Sequence, residues 1–159
     1  MPNATAPASG DLPVSGDLRD TLRWATHSLR EIYGSRLRLL VLFGSQARGD
    51  AGPESDVDLL VVLEGPISSY EEAKRTSRVA THAAAYRDTA LSFVHMSEET
   101  FDEGRSSLVD PVQEEGIDLL GLFAESTSSE STSSESTSSE SPAEEGTRKP
   151  ESTSNTLIR

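Results

Sequence analysis

Apolar residues between positions 17 and 123 follow either helical spacing or short continuous runs. Helical spacing predicts a first helix at residues 17–33, with Asp17 as the capping residue at its start. It predicts a second helix at residues 69–85, where Ser69 and Glu72 would form a capping box. The continuous apolar runs predict three buried strands, at residues 36–43, 56–63 and 89–95.

Shorter segments complete this part of the chain. We expect short helices at residues 97–103 and 107–116, followed by an apolar segment at residues 119–123 that closes the domain. The order α-β-β-α-β-α-α is typical of an α/β (α+β) fold, in which helices pack on a small mixed β-sheet. A length of roughly a hundred residues is sufficient for one modest core.

The two ends of the chain have a different composition. Residues 124–159 consist mainly of Ser, Thr, Glu and Pro, and they include the unit ESTSS three times in succession. Such a segment buries too little apolar surface to offset its ordering entropy. Residues 1–16 are also poor in core-forming side chains. We therefore expect a folded domain at residues 17–123 between two disordered tails, at residues 1–16 and 124–159.

Charge and cysteine content narrow the classes of function. The chain has 27 acidic and 14 basic residues, a net charge of −13, and no cysteine. An acidic protein is a poor candidate for tight binding to duplex nucleic acid. Without cysteine, disulfides and thiolate metal sites are excluded. No apolar run is long enough to span a membrane and no secretory signal is visible, so we expect a cytoplasmic protein with no membrane partner.

The stretch GSQARGDAGPESDVD, residues 44–58, joins the first two predicted strands. A glycine after a strand lets the backbone approach a ligand, and a following helical turn offers free N–H groups to an anion. Asp56 and Asp58 are two residues apart on a strand, so their side chains point to the same face. Paired carboxylates repel each other unless a cation lies between them, and they suit Mg²⁺. The combination predicts phosphoryl or nucleotidyl transfer, although either motif alone is more often a turn or a solvated face.

The spacing of this stretch resembles the signature of the DNA polymerase β-like nucleotidyltransferase superfamily, in which Gly-Ser precedes Asp-x-Asp by about ten residues. The short domain, the Arg48-Gly49 pair and the segment EEGIDLLGLF at residues 114–123 look like its minimal nucleotidyltransferase branch, which includes antitoxins. The resemblance implies a nucleotidyltransferase-type fold. It also implies that ATP or another NTP is the substrate and that Mg²⁺ is required.

The resemblance assigns roles to six residues of this stretch. Asp56 and Asp58 would be the catalytic pair and the ligands of Mg²⁺. The nucleotide would be held by Gly44, Ser45, Arg48 and Ser55. Arg48 has an equally weighted alternative, in which its guanidinium pairs with a nearby acidic side chain and stiffens the turn.

The chain departs from the family pattern at the third predicted strand. The family commonly supplies a third carboxylate there, which deprotonates the attacking hydroxyl, but the aligned position is Ser92. Asp88 lies four residues earlier, roughly 13 Å along an extended strand, and could substitute only if this register is wrong. Three interpretations therefore remain open. The chain could use two carboxylates with weak activity, it could borrow a base from a partner, or it could bind a nucleotide without turnover.

These features support two functions of different classes. The first is an enzyme that moves an NMP, with AMP favoured, from an NTP to a hydroxyl. The resemblance implies that the acceptor could be a tyrosine of an all-helical HEPN-type toxin partner, and a small molecule is also open. The second is a catalytically weak or inactive nucleotide-binding antitoxin that neutralises a partner by binding. The intact Gly44-Ser45 and Asp56/Asp58 pairs favour the enzyme, whereas Ser92 favours the antitoxin.

Two further groups have a functional and a structural interpretation. His95 lies near the end of the third predicted strand, where it could act as a general base, although a structural role is the commoner one. The second helix carries Lys74 and Arg75, which could attract a triphosphate. Pairing with Glu71 and Glu72 at helical spacing is the favoured interpretation.

Overall fold

The computed structural model describes residues 12–124 of the chain. The tails predicted to be disordered therefore fall largely outside the described residues. Packing begins earlier than the predicted boundary at residue 17, because Leu12 is only 5% exposed and lies in the core.

Six α-helices, a 3₁₀ helix (Gly34–Arg36) and four strands form the described part, and most of their positions agree with the pattern of the sequence. The helices are α1 (Gly16–Tyr33), α2 (Ser45–Arg48), α3 (Ser69–Arg87), α4 (Glu98–Asp102), α5 (Val109–Glu115) and α6 (Leu119–Leu122). The strands are β1 (Leu37–Phe43), β2 (Val57–Leu63), β3 (Leu91–Ser97) and β4 (Ile117–Asp118). The sequence did not predict β4, since two residues are too few to produce a recognisable pattern.

The strands form one mixed sheet in the order β3-β2-β1-β4, which confirms the predicted fold class. β1 pairs antiparallel with β2 on one side and with β4 on the other. β2 and β3 run parallel, and α3 is the crossover that a parallel pair requires. The central strands are therefore β2 and β1, and β3 is a sheet edge.

Helices cover both faces of the sheet because the strand residues are apolar on both sides. The first core contains residues of α1 and α3 and the strand residues that face them, including Leu40, Leu59 and Val61. The second core contains residues of α4 and α5 packed on the alternate strand positions, including Val41, Leu60 and Val62. This alternation decides which face each polar strand residue occupies.

The predicted cap of the first helix was wrong. α1 begins at Gly16, and its capping residue is Ser15, whose hydroxyl accepts a hydrogen bond of 3.3 Å from the Leu18 amide. Asp17 instead lies in the first turn. A carboxylate there still interacts favourably with the helix dipole.

The predicted capping box of α3 was also wrong, because the helix begins one residue earlier than that motif requires. Its capping residue is Ser68, which makes no side-chain capping bond. Glu72 is therefore one residue beyond the capping-box position. It is only 3% exposed, and its carboxylate lies 3.5 Å from Arg36 and 3.8 Å from Arg75. The expected pairing of a helix cation with Glu72 is thus confirmed for Arg75.

No helix among residues 12–124 combines the length and the apolar character needed to cross a bilayer.

Candidate active site

Three strand ends meet at one end of the sheet. The last residue of β1, Phe43, lies opposite Asp58 near the start of β2, and Asp58 lies opposite Ser92 near the start of β3. Ser92 therefore lies beside Asp58, as the predicted register expected, and its correspondence to the third carboxylate of the family stays a prediction. Asp88 ends α3 outside the strand and does not take that position. Asp58 and Ser92 share the face of the sheet that α4 and α5 cover further along.

Gly44 follows β1 directly and packs against Asp58. Its φ of 75° and ψ of −154° lie in a region that is essentially restricted to glycine. A Cβ atom at this position would lie 2.9 Å from Oδ2 of Asp58, which is closer than atoms can pack. Position 44 therefore requires glycine for two reasons: the backbone conformation of the turn, and the close approach of the Asp58 carboxylate.

The chain after Gly44 forms a short helical turn, α2, within the segment that the sequence predicted to be a turn-rich connection. The amides of Ala47 and Arg48 bond to the Gly44 carbonyl at 3.1 and 3.2 Å. Within the described residues, no such bond engages the amides of Ser45 and Gln46 at the start of this turn. Two free N–H groups beside Asp58 are suitable donors for phosphate oxygens.

Ser55 has a structural role in the loop that leads to the carboxylates. Its hydroxyl accepts a hydrogen bond of 3.0 Å from the Gly52 amide, and its own amide bonds to the Gly52 carbonyl at 3.1 Å. The amide side chain of Gln46 lies 3.5 Å from the Ser55 carbonyl. These contacts fix the loop immediately before Asp56, whereas direct contact of Ser55 with a nucleotide stays a prediction.

Arg48 has the structural pairing that the sequence left open. Its guanidinium lies 3.2 Å from the carboxylate of Asp50 and 3.3 Å from that of Glu115. The second pair links the turn to the end of α5, far along the chain. All three side chains are exposed, so the pairing is weak, and contact of Arg48 with a phosphate stays a prediction.

The electrostatics of the carboxylate pair favour a bound cation. Partial burial raises the pKa of Asp58, and the nearby charge of Asp56 raises it further, while a hydrogen bond from the Ser92 hydroxyl opposes both effects. Asp56 itself is exposed. The pair offers hard oxygens with room for water and phosphate oxygens, which is the donor set that Mg²⁺ requires. The residues present therefore fit Mg²⁺.

A third carboxylate does not join this pair. Among residues 12–124, no three side chains of His, Cys, Asp or Glu are grouped as a metal site requires. The hydroxyl of Ser92 occupies the position next to Asp58 instead. It can donate a hydrogen bond to Asp58 but cannot act as a carboxylate base.

The structure does not place His95 at the site. Because β2 and β3 are parallel, the start of β3 lies beside Asp58, and His95 is three residues, about 10 Å, further along. Its ring also points to the opposite face of the sheet, where it lies 3.4 Å from the Thr76 hydroxyl of α3. The interpretation of His95 as a general base at this site was therefore wrong, since it assumed that the strand ended at the site.

Replacement of Gly44 by alanine should destabilise the protein more than the same change at Gly65. Both glycines have positive φ, which costs alanine about 1–3 kcal/mol. A Cβ at Gly65 meets nothing within 4 Å, whereas one at Gly44 collides with Asp58. Urea unfolding of Gly44→Ala and Gly65→Ala measures the difference. Equal losses would show that the approach of Asp58 to Gly44 is not a constraint.

Asp58→Asn should stabilise the metal-free protein at neutral pH. The folded-state pKa of Asp58 is raised above its ordinary value of 3.8, so folding stability falls as pH rises through the folded pKa. Asn carries no charge, so the variant avoids this loss of folding stability. Its stabilisation relative to the unmodified protein should vanish at a pH below 3.8, where Asp58 is protonated in both the folded and the unfolded state. Unfolding free energies of Asp58→Asn and of Asp102→Asn, an exposed control away from the pair, measured with a chelator at several pH values, test this. A less stable Asp58→Asn protein at pH 7 contradicts it.

Comparisons with known proteins agree with this geometry. Residues 22–110, more than half of the chain, match the model of the nucleotidyltransferase domain family. Two relatives from Methanocaldococcus jannaschii are named as candidate protein adenylyltransferases. One is 47% identical over 36 residues, which are 23% of this chain and 36% of that relative, so the match spans about a third of its length. The other is 28% identical over 88 residues, 55% of this chain and 84% of that relative.

Two solved structures are also similar. A candidate nucleotidyltransferase from Sulfolobus solfataricus has 21% identity and a TM-score of 0.45, over 69% of this chain and 86% of that one. A mutant of the toxin–antitoxin pair MntA–HpeT has 20% identity and a TM-score of 0.45, over 61% and 70%. The chain belongs to the nucleotidyltransferase domain family, a family of transferases.

Proposed function

We propose that this protein transfers an NMP, with AMP favoured, from an NTP to a hydroxyl group in a reaction that requires Mg²⁺. The observation that carries the proposal is the close approach of Gly44 to Asp58, with Asp56 on the same strand end and the turn of Ser45 beside it. A protein that needed only its surface would have no physical reason to keep two like charges at a strand end, one of them partly buried. A bound nucleotide with a divalent cation offsets the repulsion between these two carboxylates.

Each part of the site has a distinct task in the proposed reaction. The turn after Gly44 binds phosphate oxygens through its free amides and through the Ser45 hydroxyl. Asp56 and Asp58 hold Mg²⁺, which, when bound, orients the triphosphate and neutralises its charge. Arg48 contributes a positive charge beside the phosphates when it leaves Asp50 and Glu115. The acceptor oxygen then bonds to the α-phosphorus as the bond to pyrophosphate breaks, and a proton is released.

For the acceptor, we propose a hydroxyl of another protein. The names of the two Methanocaldococcus relatives favour a protein acceptor. The resemblance to the minimal branch favours a tyrosine on a helical HEPN-type toxin. A partner can also supply the general base that Ser92 does not provide, because the acceptor side chain and its neighbours reach the site together.

A second function is favoured by one observation, the position of Ser92 directly opposite Asp58. A site with a hydroxyl in place of the third carboxylate could bind Mg²⁺ and a nucleotide with little turnover. The protein would then act as a nucleotide-binding antitoxin that neutralises its partner by occlusion.

A label-transfer assay tests the proposed reaction. The protein is incubated with Mg²⁺, NTPs labelled at the α-phosphate and lysate of the source cell, beside an Asp56→Ala/Asp58→Ala variant. We expect a labelled protein band with the unmodified protein only. Mg²⁺-dependent ATP binding without any transferred label would overturn the enzyme and support the occluding antitoxin.

Ser92→Asp should raise the rate of transfer, because it places a carboxylate beside Asp58 where it can accept the proton of the acceptor. General-base catalysis typically contributes about 10²–10⁴-fold, so an increase of about tenfold or more is expected. Ser92→Asn is the matched control, since it has the same size without the charge. A rate that is equal in the two variants would show that Ser92 does not occupy the position of the base.

A further inference from the structure

A hydroxyl side chain of the protein itself lies beside the carboxylates of the candidate site. Ser92 is the second residue of β3 and lies directly opposite Asp58 of the parallel strand β2. Neighbouring strands are about 4.8 Å apart, and residues paired in this way direct their side chains to the same face of the sheet. The Ser92 hydroxyl can therefore reach a phosphate that is bound next to Asp58.

Ser92 is also accessible from the solvent. Among the seven residues of β3 it alone is exposed, and the other six are buried or partly buried. Its hydroxyl can donate a hydrogen bond to Asp58. The lone pairs of the oxygen are then left for an electrophile, because a hydroxyl has one donor hydrogen and two acceptor lone pairs. Ser92 thus has both the access and the orientation that a nucleophile needs.

The neighbouring serines of the site occupy different positions. Ser45 begins the turn whose free amides suit phosphate oxygens. The hydroxyl of Ser55 accepts a hydrogen bond from the Gly52 amide and holds the loop together. Of these three hydroxyls, the strand register places only that of Ser92 against Asp58.

We propose that Ser92 is itself an acceptor of the NMP, so that the protein nucleotidylates its own chain at this residue. The inference rests on the proposed transfer reaction and adds an acceptor within the site to the partner's hydroxyl. Oγ of Ser92 forms a bond to the α-phosphorus as the bond from that phosphorus to pyrophosphate breaks. Pyrophosphate leaves with the electron pair of the broken bond, and the hydroxyl proton passes to water. The product is a phosphodiester between Ser92 and the nucleoside.

Proximity offsets the lack of a carboxylate base at this position. General-base catalysis typically contributes about 10²–10⁴-fold, and Ser92 does not supply it. A group that is well oriented beside its reaction partner has an effective concentration of about 10⁵–10⁸ M. The gain from proximity is larger than the loss of the base. Ser92 can therefore react where a hydroxyl that arrives from solution reacts slowly.

Modification of Ser92 would fill the site. The attached NMP would remain where the next NTP has to bind, and its phosphate would place a further negative charge near Asp56 and Asp58. We therefore expect no more than one NMP per chain at Ser92. We also expect the modified protein to bind a further NTP more weakly than the unmodified protein does.

Intact mass spectrometry of the purified chain, incubated with Mg²⁺ and each of the common NTPs, is the first test. We expect one added NMP per chain, which peptide mapping locates at Ser92. Ser92→Thr should also be modified, because it retains the hydroxyl, whereas Ser92→Ala should not. An unmodified chain, a modified Ser92→Ala protein, or an NMP on residues 125–159, which are rich in Ser and Thr, overturns the inference.

The same incubation with lysate of the source cell distinguishes this inference from the proposed function. Label from the α-phosphate of the NTP is followed on this chain and on the proteins of the lysate. Label on a lysate protein with none on this chain supports the transfer reaction and overturns only the self-modification. Label on neither overturns both.

A thiol at position 92 tests the contact with the nucleotide without any transfer. The chain has no cysteine, so Ser92→Cys introduces a single thiol. An NTP analogue that cannot release pyrophosphate, at about ten times its dissociation constant with Mg²⁺, should slow alkylation of this thiol about tenfold. Ser35→Cys is the control, because Ser35 is exposed and precedes β1 at the end of the sheet away from the site. Equal alkylation of Ser92→Cys with and without the bound analogue would place Ser92 outside the nucleotide site and contradict the inference.

Discussion

The pairing of β2 on both of its sides is the constraint on which the site depends. Because β1 runs antiparallel and β3 runs parallel to β2, the end of one neighbour and the start of the other meet at Asp58. Gly44 can then turn the chain against that carboxylate, and Ser92 can donate a hydrogen bond to it. A slip of one residue in either register would move Asp58 to the other face of the sheet and separate all three residues.

The same arrangement explains why the site lowers the folding stability of the protein. Apolar side chains cover both faces of the sheet, and Asp58 lies where that cover ends, so it is partly buried beside a like charge. Natural proteins retain such unfavourable groups mainly where function requires them. Glu72, which is buried more deeply than Asp58, differs because Arg36 and Arg75 lie close to its carboxylate.

Local sequence patterns could predict most of the fold and the location of the site. Short apolar runs identify β1, β2 and β3, and the spacing of Gly-Ser and Asp-x-Asp identifies the turn between two of them. Local sequence patterns could not, however, predict the relative directions of the strands. His95 was placed at the site because a strand end was assumed to lie there, and the parallel pairing of β2 and β3 puts the start there instead.

The capping errors at Asp17 and Glu72 have a local cause, since several neighbouring serines and acids can each begin a helix. The two partners of Arg48 could not be predicted individually, because Glu115 is distant in sequence.

The most direct test of this account is the pKa of the Asp58 carboxyl, measured by ¹³C NMR with and without Mg²⁺ and a nucleotide. Without metal, we expect a pKa above the ordinary value of 3.8, because burial and Asp56 both oppose the charge. With Mg²⁺ and the nucleotide bound, it should fall below that value, because the cation favours the charged form. A pKa that does not respond to Mg²⁺ while the nucleotide binds would contradict the assignment of Asp56 and Asp58 as the metal site.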